Sequence, residues 1–243
     1  MAEEMRVHRA LAQAGFGSRR TAEGLVAEGR VTVNGEVAHV GQKVTPSDRI
    51  EVDGAPVGTE PLRAFLLHKD AGVVTTANDP QGRPTVLDGL PDDVRLYPVG
   101  RLDRDTTGAL IVTNDGELAH RLMHPSYSIP KTYEVLLRGQ VGADTVRRLR
   151  EGVELDDGRT ASARVERMER RSARGTWLKI ELTEGRNRQI RRMGIAVDHR
   201  VERLHRSLYC GVGVGGLSPG EHRPLRAEEW SRMRRAVGLR EAA

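Results

Sequence analysis

The chain has 243 residues, with 39 Lys/Arg against 34 Asp/Glu (net charge +5), 37% hydrophobic residues, 3% aromatic residues and one cysteine. That length suits one large domain, or a small one joined to a medium one. No apolar run approaches the roughly 18 residues of a membrane span, and a lone Cys210 excludes an intrachain disulfide and a cysteine-based zinc cluster.

The opening "MAEEMRVHRALAQAG" is acidic and then amphipathic, without the basic, apolar and small-residue regions of a signal peptide, so a cytoplasmic location is expected. Val7, Leu11 and Ala14 recur at helical spacing, and Gly15 ends that helix. Ser18 is placed to cap a second helix, "SRRTAEGLVAEG", which closes at Gly29. In "VTVNGEVA" alternating valines flank Asn34-Gly35, a strong hairpin signal, and "DRIEVDG" adds a short strand. These elements make a module over residues 5–53. Residues 54–62 are rich in Pro and Gly and read as a linker to a second domain over 63–240.

In that second domain "AFLLHKDAGV" (64–73) reads as a strand, 77–96 as loop, and "ALIVT" (109–113) as a buried strand stopped by Asn114-Asp115-Gly116. A helix "ELAHRLMH", a strand "KTYEVLLRG" (131–139), a helix "ADTVRRLREG" and a strand "TWLKIELTEG" follow. "RNRQIRRMGIAV" is a helix with Ile190, Met193 and Val197 on its apolar face; "VERLHRSLYCGVGV" returns as strand and "AEEWSRMRRAVG" closes as helix. Strands and helices that do not strictly alternate suggest an α+β fold, a small α/β module plus a domain with a mixed sheet.

Charge is unevenly placed. Residues 1–60 carry seven Lys/Arg and nine Asp/Glu, whereas 164–206 carry thirteen and six, a local excess of seven positive charges. Such a concentration points to a polyanion. The eight aromatics (Phe16, Phe65, Tyr97, Tyr127, Tyr133, Trp177, Tyr209 and Trp230) are too scattered for a platform that stacks several bases, so phosphate contacts and one base pocket are the expected mode.

"GRLDRDTTGALIVTNDG" (100–116) admits several readings. A calcium loop starting at Asp103 would need Asp or Asn at its fifth position and Glu at its twelfth, but Thr107 and Asn114 stand there. A glycosidase pair, Asp103 with Asp105, would have to flank a bond from opposite sides, which positions i and i+2 of one turn rarely do. A purely structural turn remains open. His120 and His124 have metal-ligand spacing but no third ligand, so no metal is expected.

"GRLDRDTTGAL", "KTYEV" and "EGRNRQIRRM", in this order, resemble the bacterial rRNA pseudouridine synthases, in the branch with small-subunit synthase A and large-subunit synthases B, E and F. The stretch "LAQAGFGSRRTAEGLVAEGRVTVNGEVA" resembles the RNA-binding domain of ribosomal small-subunit protein S-four, although here it is not basic overall. The resemblance implies a catalytic domain with a mixed, mostly antiparallel sheet flanked by helices, and an isomerase that needs no cofactor and acts on ribosomal RNA, of the large subunit by the wording of its motifs; a monomer is expected. By that match Asp103 is the nucleophile or base, held ionised by Arg191, and Tyr133 packs against a base taken out of its stack. Thr106 bonds within the turn framed by Gly100 and Gly108. Lys131 and Arg192 contact phosphate, with Arg101, Arg186, Asn187 and Arg188 as further RNA contacts; Ser18, Arg19, Arg20, Arg30 and Asn34 are the contacts of the N-terminal module. Asp105 is assigned no chemistry, and "LLHKDAG" departs from the family's Lys-Pro-x-Gly by placing Asp70 where proline is usual. The rival expectation is a non-catalytic RNA-binding assembly factor on the same scaffold.

Overall fold

The structure is a computed structural model and describes residues 4–240. By its contacts the chain separates into two compact units, one reaching to Arg63 and taking in Pro91–Leu96 and Asn114–Gly116, the other holding the remainder.

In the first unit, β1 (Met5–Arg6) leads directly into α1 (Val7–Gln13), and α2 (Arg19–Ala27) follows. Ser18 caps α2 as expected, its hydroxyl accepting from the Thr21 amide at 3.1 Å. β2 (Val31–Val33) and β3 (Glu36–Val37) form the Asn34-Gly35 hairpin, both turn residues having positive φ. β4 (Lys43–Val44) pairs with β1, while β5 (Ile50–Val52) and β6 (Ala55–Pro56) extend the hairpin into a sheet ordered β3-β2-β5-β6. Val7, Leu11, Ala22, Val26, Val31, Val33, Val44 and Val52 are its buried core. The proline-rich segment read as linker therefore starts with a strand: Pro56 lies on the last strand of the sheet, where its missing N–H costs no ladder bond.

The second unit is built on one sheet. Its strands are β7 (Ala64–Lys69), β8 (Tyr97–Pro98), β9 (Thr107–Thr113), β10 (Lys131–Arg138), β11 (Arg164–Arg167), β12 (Gly175–Leu182), β13 (Val201–Tyr209), β14 (Val212–Gly213) and β15 (His222–Pro224). The order is β11-β12-β10-β13-β9-β7-β15, with β14 on β13 and β8 on β9. Among the described strands the joint between β13 and β9 is the parallel one, and it spans only His205↔Thr107 and Arg206↔Gly108; the other joints are antiparallel.

That joint divides the sheet into halves, each with its own core. On one side α3 (Gly116–Met123) and α6 (Ala227–Ala236) pack Leu118, Leu122 and Met233 against Leu66, Ala109 and Ile111. On the other, α4 (Ala143–Glu151) and α5 (Gln189–Ala196) pack Val146, Leu149, Ile190 and Met193 against Val135, Leu178 and Ile180. β9 is fully buried from Ala109 to Val112, which explains its unbroken apolar run.

The strand expected over 64–73 stops at Lys69, and the strands β8, β11 and β15 were not legible, each being two to four residues long without alternation. The expected strand through 214 breaks into a hairpin at Cys210-Gly211, both with positive φ. A bulge at Ser207 shifts the β10–β13 register so that Tyr133 faces Arg206. Gly108, Arg206 and Tyr133 thus lie in one row across β9, β13 and β10.

Candidate active site

The Asp103 loop ends at the parallel joint, where β9 begins. Inside the turn the Thr106 amide donates to the Asp103 carbonyl at 3.0 Å. The Thr106 hydroxyl, expected to bond within the turn, is buried with no partner among the described residues; the amide does that work instead. Thr75, also buried, brackets Leu102: its hydroxyl donates to the Leu102 carbonyl at 2.8 Å and accepts from the Leu102 amide at 3.3 Å. Gly72 N–H donates to the Arg104 carbonyl at 2.8 Å.

Beneath the loop lies Lys69, 1% exposed, its ammonium donating to the carbonyls of Asp70, Arg104 and Thr106 at 2.8, 3.1 and 2.9 Å. Burial lowers its pKa to about 8, partly opposed by the charges of Asp105, Asp70 and Asp103. Between pH 8 and 10.5 the folded chain has released a proton that the unfolded chain still holds, so this lysine's contribution to stability rises with pH across that window. Lys69→Met leaves the Thr106 carbonyl unpartnered and is expected to cost about 2 kcal/mol near neutrality. Urea titrations at pH 7.5 and 10 should show the stability gap between wild type and variant widening with pH; a constant or narrowing gap would contradict this role.

The Asp103 side chain is 28% exposed, and its Oδ2 faces two arginines. Arg188 Nη1 donates to it at 3.2 Å, and Arg191 Nε lies 3.6 Å away. Arg191 is the better buried of the two, 15% exposed against 50%, and its Nη2 pairs with Asp105 at 2.9 Å. Asp105, given no role from sequence, therefore orients the arginine that faces Asp103. Arg188 stands at the N-cap of α5 with positive φ (+46°), which turns the chain from the β12 exit into the helix.

A cleft of ≈ 790 Å³ gathers Arg101, Asp103, Lys131, Tyr133, Arg186, Asn187 and Arg188, together with Arg206, Tyr209 and the 74–83 segment. Its volume is in the range of about 300–1,000 Å³ typical of ligand pockets. A smaller adjoining recess brings Asp103 and Tyr133 together with Thr106. Lys131 is half-buried, donates to the Ile129 carbonyl at 2.9 Å and lies 5.7 Å from the Tyr209 ring centroid. Burial, then the neighbouring Arg206 charge, brings its pKa down to about 8. Arg206 is buried, donates through Nε to the Ala109 carbonyl at 2.7 Å, and keeps a buried Nη2 without a partner among the described residues.

Comparison with known proteins adds the family. The RNA pseudouridylate synthase profile matches residues 63–195 and that of the S4 domain matches residues 5–50. The chain belongs to the RNA pseudouridylate synthase family. It is 44% identical over 235 residues to the ribosomal large subunit pseudouridine synthase B of Bacillus subtilis (strain 168), covering 94% of this chain and 95% of that one. It is 42% identical to an uncharacterized RNA pseudouridine synthase of Aquifex aeolicus (strain VF5), over 98% of this chain and 96% of that one. A crystal structure of pseudouridylate synthase superposes with a TM-score of 0.67 at 28% identity, covering 94% of this chain and 99% of that one.

Within this family member, several residues matched to RNA contact serve the fold. Arg186 donates to the Gly158 and Arg159 carbonyls at 2.7 and 2.6 Å and pairs with Asp157 and Glu184. Arg192 pairs with Asp156 and Asp157 and donates to the Asn187 carbonyl, and it is absent from the cleft wall. Arg191 also stands behind the wall, reaching Asp103 and Asp105 from α5. In the S4 domain, Ser18 is the helix cap, Arg30 is held by Asp53 and Glu28, and Asn34 bonds Asp48 and the Arg49 amide. Arg19 and Arg20 remain exposed on the first turn of α2. The signals that escaped sequence reading are Lys69, Thr75, Asp105 and Arg206, which act through contacts 27 to 97 residues apart or sit in unremarkable strand positions.

Proposed function

We propose that this protein converts a specific uridine of large-subunit ribosomal RNA to pseudouridine in the cytoplasm, with Asp103 as the reacting carboxylate. The observation that carries this is the Asp103 carboxylate set against Arg188 and Arg191 in the wall of a cleft that also presents Tyr133. The named near-full-length relative supports the ribosomal substrate. In the reaction the N1–C1′ bond breaks, the uracil turns, and a C5–C1′ bond forms; C5 gives up its proton and N1 takes one up. The balance closes without an oxidant or a second substrate.

Asp103 supplies the anion that starts this sequence, whether at C6, at C1′ or by taking the C2′ proton. Both arginine partners lie on the same carboxylate oxygen, Oδ2. The target nucleotide leaves its stack to enter the cleft, and the face of Tyr133 receives the base. Lys131 and Arg101 add positive charge at the cleft wall for the RNA backbone.

Tritium release from unmodified, 5-tritiated large-subunit rRNA is the direct test, and mapping pseudouridines in a deletion strain identifies the uridine. No release on any rRNA fragment would defeat the proposal and leave the binding-only alternative. The two arginines should differ. Arg191→Gln is expected to lower single-turnover rates by about 10²-fold or more, because it takes a buried charge from beside the reacting group. Arg188→Gln, half in solvent, should cost less than about tenfold. Equal losses would refute the assignment of Arg191 as the dominant partner.

A further inference from the structure

Four arginines sit together well along the chain from the Asp103 loop, in a place the catalytic proposal does not use. Arg167 ends β11, and Arg170, Arg171 and Arg174 lie on the turn that joins it to β12. They line a groove of ≈ 560 Å³ to which no carboxylate contributes a wall. Arg167, Arg171 and Arg174 are exposed, and no carboxylate pairs with them among the described residues. Arg170 differs: its guanidinium lies 4.1 Å from the centroid of the Trp177 ring and 3.5 Å from Glu134.

This groove is continuous with the candidate active site. A second hollow, ≈ 470 Å³, shares Arg170 and Trp177 with it and runs on to Asp105 and Thr107. Asp105 in turn forms part of the wall of the cleft that holds Asp103. The middle hollow is mixed in charge, with Glu134 and Glu202 beside Arg170 and Arg203, so phosphate binding is concentrated at the arginine end.

Resting on the uridine-modifying function, we propose that the β11–β12 arginine groove binds the phosphate backbone of a double-helical RNA stem that flanks the target uridine. Three unpaired guanidiniums are suited to phosphates, which they contact without reading sequence. The one aromatic in the groove is buried and already covered by Arg170, so no ring is free to stack a base. Single-strand grooves depend on such stacking, whereas duplex RNA is gripped by shape and backbone. A duplex is therefore the better fit.

The test uses the full chain and the triple variant Arg167→Gln/Arg171→Gln/Arg174→Gln, whose positions are exposed. The probes are an RNA duplex of about 20 base pairs, longer than the span of a typical duplex-binding domain, and a single strand of equal length. The variant should bind the duplex about 10- to 100-fold more weakly, and its slope of log affinity against log salt should be shallower by about 2–3 for three lost phosphate contacts. Its single-strand affinity, and its tritium release at saturating rRNA, should match wild type within about twofold. Unchanged duplex affinity and slope, an equal loss on single strand, or displacement of the duplex from this groove by polyglutamate at equal charge would each overturn the proposal. Active wild type with an unaffected variant refutes the groove alone, whereas inactive wild type refutes the catalytic function.

Discussion

Replacing Asp103 with asparagine is expected to abolish pseudouridine formation while leaving the fold and RNA affinity in place. Asparagine has the same shape and can still accept from Arg188, but it carries no anion for attack or proton removal. Loss of the reacting group should lower the rate by at least about 10³-fold. Stability should change by less than about 1 kcal/mol, because the Asp103–Arg188 pair is partly in solvent and Arg191 keeps Asp105. RNA affinity should hold or rise slightly, since a negative charge leaves a cleft lined by more basic than acidic side chains. Single-turnover tritium release, thermal melting and filter binding measured on one preparation separate these quantities. Turnover of Asp103→Asn within tenfold of wild type would remove Asp103 from the mechanism. Asp103→Glu, which keeps the charge but moves it, should lose about 10²-fold through misplacement alone.

Much of this site was visible in the sequence because its motifs are local. The Asp103 turn, the Tyr133 strand and the Arg191 helix each carry a short pattern, and the structure brings Asp103 and Tyr133 to one cleft with Arg191 just behind. The apolar run of β9 and the Asn34-Gly35 hairpin were legible for the same reason: burial and turn chemistry act on neighbouring residues. What escaped depends on long-range placement. Nothing in "LLHK" says that Lys69 will be swallowed under residues 104–106, because an isolated lysine is ordinarily a surface residue. Asp105 looked idle because its partner is 86 positions on, reached only when α5 docks at the parallel joint. Conversely, the charge of Arg186 and Arg192 is visible in a sequence, and the carbonyls and carboxylates that engage them are not.

Gly108→Ala is expected to damage stability and activity together, which sets it apart from Asp103→Asn. Gly108 has φ +111°, a conformation that side-chain-bearing residues rarely adopt. A Cβ built there would lie 2.2 Å from the Arg206 carbonyl oxygen and 2.7 Å from its nitrogen, both backbone atoms of the adjacent strand. Rotamer changes cannot relieve that overlap; β9 and β13 must separate. The parallel joint consists of two residue pairs, and Arg206↔Gly108 is one of them, so little ladder remains to resist the separation. The expected cost is about 3 kcal/mol or more, a melting-point fall of about 6–12 °C for a domain of this size. Separation also moves both ends of the site. Asp103 lies five residues before Gly108 on the loop that enters β9, and Tyr133 faces Arg206 across β13. Tritium release at a temperature where the variant is still folded should therefore fall by about 10²-fold, as expected when reacting groups shift by about an ångström. Gly100→Ala is the control. Gly100 also has positive φ (+74°), but its added Cβ meets only the Met123 side chain, at 3.9 Å, so the penalty is conformational strain alone, about 1–2 kcal/mol. If Gly108→Ala melts within 2 °C of wild type, or the two glycine variants cannot be told apart, the close approach of β9 to β13 is not what holds the Asp103 loop opposite Tyr133.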